Sequence, residues 1–149
     1  MNTITLRLQP GETPAYSVVQ ILIDGHDLIG LVHVVELPQA TEQGQPDLAG
    51  SYDYLEPFEW ADLPERGEDG RAAVLRCTCG EVGCWPLRVR ITRHGGVVTW
   101  SDFQQPFRDW SYDGFGPFHF REDEYDAAVA GIAASRDRGM ERIAWKDGN

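Results

Sequence analysis

Three thiols within eight residues, Cys77-Thr78-Cys79-Gly80-Glu81-Val82-Gly83-Cys84, come nearest to metal or redox chemistry in this sequence. Zn²⁺ takes four soft or borderline ligands in a tetrahedron, and glycines let the backbone close around it. Structural zinc sites usually combine two ligand pairs, whereas this chain has one set and no second pair. His94, the nearest imidazole along the sequence, follows Cys84 on a stretch that reads as continuous strand, which separates the two by up to ~30 Å. His26, His33 or His119 would have to arrive from elsewhere in the fold. Packing is the plainer role: free cysteine is among the most buried residue types, and Cys77 and Cys79 fall on an apolar strand face. Cys84, in the loop, is then the thiol best placed for reactivity or metal. No cofactor is expected; zinc on Cys77, Cys79 and Cys84 is the alternative.

Charge is the second conspicuous feature. The chain has 149 residues, 24 acidic and 13 basic side chains, and a net charge of −11. From Glu36 to Asp69 ten acids face Arg66 alone, a local balance of −9. An acid excess opposes phosphate backbones, so nucleic acid is not an expected partner. It favours a basic protein instead, because complementary charge raises association rates. Glu56, Glu59, Asp62, Glu65, Glu68 and Asp69 are the expected contacts. From Arg71 to Arg93 five arginines oppose Glu81, either solvated and paired with the acids or forming a carboxylate or anion site.

Residues 100–120 hold eight of the chain's sixteen aromatics. Such density under Gly and Pro punctuation means a minicore beneath a long loop, or else a ligand-facing wall. If a wall, its ligand residues would be Trp100, Phe103, Arg108, Trp110 and His119, with Arg88 and Arg90. Templates for nucleophile elbows, phosphate loops, zinc helices and dinucleotide turns are missing. His26-Asp27 is an acid–base pair by type, but a turn His beside Asp is usually a solvated turn.

The elements that must position these groups follow from periodicity. Ile4, Leu6 and Leu8 alternate with polar residues as in a half-buried strand. Tyr16–Ile23 and Leu28–Leu37, apolar at nearly every position around Asp24-Gly25-His26-Asp27, read as a hairpin covered on both faces. Pro38 to Gly70 has no period and reads as a long acidic irregular segment. Arg71–Cys79, Leu87–Arg93 and Val97–Asp102 form a meander that turns at His94-Gly95-Gly96. A bulge near Trp85-Pro86 would put Ala73, Leu75 and Cys77 with Leu87, Val89 and Ile91, and Arg76, Arg88 and Arg90 on the other face. A strand at Pro117–Phe120 leads into a helix from Glu122 with Tyr125, Ala128, Val129 and Ile132 on one stripe. Gly139 would stop it, and Met140, Ile143 and Trp145 would dock the tail.

The run Cys77–Pro86, followed by Val98-Thr99-Trp100-Ser101-Asp102-Phe103-Gln104-Gln105-Pro106 and by Gly116–Phe120, resembles a family of small uncharacterised bacterial proteins over about residues 72–132. That resemblance implies a bacterial cytosolic protein and brings no catalytic residues with it. The expectation is one α+β domain over residues 1–149, a mostly antiparallel sheet with a C-terminal helix packed on it. No run of ~18 apolar residues suggests a membrane span, and Met1-Asn2-Thr3-Ile4 lacks a signal-peptide start, so the expected location is the cytoplasm. Function is open between an acidic inhibitor- or immunity-type module, a metal or thiol protein, and a small-molecule binder or enzyme. Oligomeric state is not readable from these residues.

Overall fold

The structure, a computed structural model, describes residues 1–10, 17–57, 59–60, 70–78 and 85–132. Its class is α+β with antiparallel sheets and two helices. One sheet has the order β1 (Ile4–Pro10), β2 (Ser17–Ile23), β3 (His26–Asp27); the other runs β4 (Tyr52–Tyr54), β5 (Arg71–Cys77), β6 (Leu87–His94), β7 (Val97–Gln104), β8 (Phe118–Arg121). The expected meander is present, and β6 turns into β7 through Gly95 and Gly96, both at positive φ, which glycine adopts without a Cβ penalty.

The expected strand at Leu28–Leu37 is instead part of a helix, α1 (Leu28–Glu42). The return strand stops after two residues because the Asp27 carboxylate accepts a hydrogen bond from the Gly30 amide and caps a helix N-terminus. Leu28, Val32, Glu36 and Ala40 then repeat at i, i+4 and are fully buried, and this packing overrides the strand preference of Ile29, Val32, Val34 and Val35. Pro38 lies on the exposed side of α1. The stretch expected to be irregular therefore begins inside this helix and includes a 3₁₀ turn, Pro46–Leu48, and β4, which pairs with β5 through Tyr52–Cys77, Asp53–Arg76 and Tyr54–Leu75.

Two bulges decide which side chains share a face. The expected bulge near Trp85-Pro86 is found inside β5, between Ala73 and Leu75. Leu75 opposes Leu87 as expected, but Ala72, not Ala73, opposes Val89, since the extra residue reverses the alternation ahead of it. In β7 the extra residue lies between Ser101 and Gln104, where Asp102 has φ 53°. Alternation shifts there too: Val98 and Trp100 point inward before it, Phe103 and Gln105 after it.

The C-terminal helix, α2, covers residues 122–132. It packs on the five-stranded sheet through Tyr125, whose ring stacks on Phe120 and meets Trp100 edge-on. Arg93 ties its first turn to β6 through Glu122 and Asp126. The expected stop at Gly139 and the docking of Met140, Ile143 and Trp145 lie outside the described residues. No helix among the described residues is long and apolar enough to cross a membrane.

Candidate functional site

The acidic residues expected at a partner surface divide into two that the structure describes, both turned to Arg76, and four that lie outside the described residues. Glu59 is buried, and its carboxylate lies 3.1 Å from the guanidinium of Arg76. Glu56 approaches the same arginine at 3.7 Å and Asp53 at 3.9 Å. Asp62, Glu65, Glu68 and Asp69 lie outside the described residues. The arginine stripe is likewise divided. Arg76 is buried, in place of the solvent exposure expected of it. Arg90 pairs with Asp102 at 3.2 Å, which offsets the like charge of Arg71 directly opposite on β5. Arg88 is half-buried beside Ala73 and Gln104.

Of the thiols, Cys77 is half-buried at the end of β5; Cys79 and Cys84 lie outside the described residues. Among the described residues no group of three or more His, Cys, Asp or Glu is arranged to hold a metal ion.

The aromatic segment divides into three clusters. Trp100 is buried among Trp60, Phe120 and Tyr125. Phe103 packs edge-on to Phe115 and Phe118. Trp100 and Phe103 belong to the core, and Phe115 and Phe118 pack against it partly buried. His119 is on the opposite face of the sheet from Trp100: its Nδ1 lies 3.0 Å from Thr99 Oγ1, and it borders an open cleft of ≈ 580 Å³ with Met1, Asn2 and Val97.

The third cluster reaches the surface. Phe107 is 57% exposed and stacks on Trp85 at 6.3 Å between ring centroids, with 11° between planes. The Arg108 guanidinium sits 5.6 Å from the centre of the Trp85 ring, and Trp110 meets Trp85 edge-on. Trp85 Nε1 and Arg108 Nε are covered and have no hydrogen-bond partner among the described residues. Arg108 and Trp110 were expected from sequence; Trp85 and Phe107 were not.

This shelf is rigidly mounted. Gln105, 1% exposed, accepts from the Phe107 amide and donates to Tyr52 Oη and to the Pro86 carbonyl, which fixes the turn that carries Phe107 and Arg108. The next residues are strapped to α1 by three side chains on one stripe. Gln43 Oε1 accepts from Trp110 Nε1 at 3.1 Å. Gln39 accepts from the Ser111 amide at 2.7 Å and donates to its carbonyl at 2.9 Å. Glu36, fully buried, accepts from Tyr112 Oη at 2.5 Å, from Tyr52 Oη at 2.6 Å and from the Gly50 amide at 2.9 Å. Burial raises the Glu36 carboxyl above its ordinary value, against the opposing pull of these donors and of His33. Burial also raises both phenols, with the neighbouring carboxylate adding to it. Every oxygen of Glu36 is engaged inside the molecule, so its chemistry is structural: it holds α1, β4 and the 110–112 loop together. Glu36, Gln39 and Gln43 were legible in principle as polar residues at i, i+3 and i+7 on one helical stripe, but the strand expectation concealed that spacing.

Comparison with protein-family models, with curated proteins and with solved structures finds no match to this chain.

Proposed function

We propose that the chain is a non-enzymatic binding module that engages a polypeptide through the shelf of Trp85, Phe107, Arg108 and Trp110. The observation that carries this reading is Phe107: a large apolar ring more than half exposed, yet held by a turn anchored on a buried glutamine. An exposed ring on so fixed a support has lost its conformational entropy before any contact is made, which favours binding. Trp and Arg are the residue types most enriched among those that dominate interface energy. The expected basic partner of the acidic run finds less support, since Glu56 and Glu59 are turned to Arg76. Selection of a phage-displayed random peptide library on the full chain tests the reading. Peptides are expected to enrich and to lose at least about tenfold in affinity, about 1.4 kcal/mol, against Phe107→Ala, a surface change that leaves the core intact. Absence of enrichment, or binding indifferent to Phe107→Ala, refutes it.

A further inference from the structure

The polar atoms that the shelf leaves without partners are all of one kind. Trp85 Nε1 and Arg108 Nε are both N–H donors, and neither group can accept. What they lack is an acceptor. Arg76, Arg90, Arg93 and Arg121 each hold a carboxylate of this chain within 3.3 Å. Arg108 has no such partner among the described residues. Its charge is set against the face of Trp85 instead, a position that leaves the guanidinium fork open to a second, planar partner. Arg108 Nε is covered, so the guanidinium offers its terminal nitrogens, and to a cation's N–H groups a charged acceptor forms hydrogen bonds about twice as strong as a neutral one.

Resting on the reading of this shelf as a polypeptide-binding surface, we propose that it receives an acidic segment: a carboxylate of the partner lies against the terminal nitrogens of Arg108 while an adjacent apolar side chain covers Phe107. The site is thus a cation on a chain of net charge −11, so an acidic segment is held there by local contacts against an unfavourable long-range field.

The test uses the peptides selected on the full chain, each synthesised with its Asp and Glu residues and again with Asn and Gln in their place. Both forms are titrated into the ¹⁵N-labelled protein. The acidic form is expected to bind about tenfold more tightly than its amide twin, to shift the Trp85 indole N–H resonance, and to lose that advantage against Arg108→Gln. Equal affinity of the twins, selection of Lys- and Arg-rich peptides, or an acidic preference that survives Arg108→Gln overturns the carboxylate. In each of those cases sensitivity to Phe107→Ala still reports a binding shelf, so the two readings fail separately. An unchanged amide spectrum of Arg108→Gln away from residues 105–110 verifies that the variant is folded.

Discussion

Glu36 shows how a single carboxylate can organise a core. Moving an ionised group out of water is expensive unless donors replace its hydration, and here two phenols and one amide do so. Glu36→Ala strands these three donors at about 1–3 kcal/mol each, so a large drop in the urea midpoint is expected. The titration of the same group has a definite sign. Burial raises the folded carboxyl above its ordinary 4.5, so the folded chain holds this proton more tightly than the unfolded one. The stability linked to it is complete below that value and is lost as pH rises through the folded one. The urea stability of the native chain relative to Glu36→Gln, which cannot titrate, is therefore expected to fall on going from about pH 4 toward neutrality and then to level off. A difference that rises with pH would mean that the donors outweigh burial.

At the scale of elements, the strap between α1 and residues 110–112 is almost wholly polar, and it orients the shelf through Trp110. Gln39→Ala removes both hydrogen bonds to Ser111 and none to the core. It should cost about 1–2 kcal/mol, hasten amide hydrogen exchange at Ser111, and weaken peptide binding without touching the peptide. Unchanged exchange at Ser111 would mean that Gln43 and Glu36 suffice to hold the loop. The same helix marks the limit of what the sequence discloses. The meander, its diglycine turn and the C-terminal helix were readable because alternation and the i, i+3, i+4 stripe are local signals. Leu28–Leu37 is apolar on all sides, and such a run is compatible with a buried strand or a buried helix. What decides between them is the Asp27 cap together with contacts far along the chain, to Tyr52 and Tyr112. The place of the bulge between β5 and β6 and the existence of the one in β7 escaped for a related reason, since each shifts the alternation by one residue without changing composition. Of the shelf, Arg108 and Trp110 were readable as polar and aromatic neighbours, whereas Trp85 was read as part of a bulge and Phe107 as one ring among many.

For the molecule as a whole, the excess of 24 acids over 13 bases sets a long-range field opposite in sign to the local one at Arg108. Long-range charge acts mainly on the rate of encounter, and contacts formed at the shelf act mainly on the rate of escape. An acidic peptide is repelled at a distance and held on arrival. Its association rate should therefore increase as NaCl is raised from about 0.02 M to about 0.2 M, because the Debye length shrinks from about 20 Å to about 7 Å and screens the repulsion. Its dissociation rate should increase over the same range as the Arg108 contact weakens. A basic peptide steered by the acidic field behaves oppositely on approach, its association slowing steeply with salt. Stopped-flow tryptophan fluorescence, with Trp85 in the contact, separates the two rates. If association with the acidic peptide slows with added salt, then the field around the shelf is locally positive over more than a Debye length, and Arg108 is not the isolated cation that its surroundings describe.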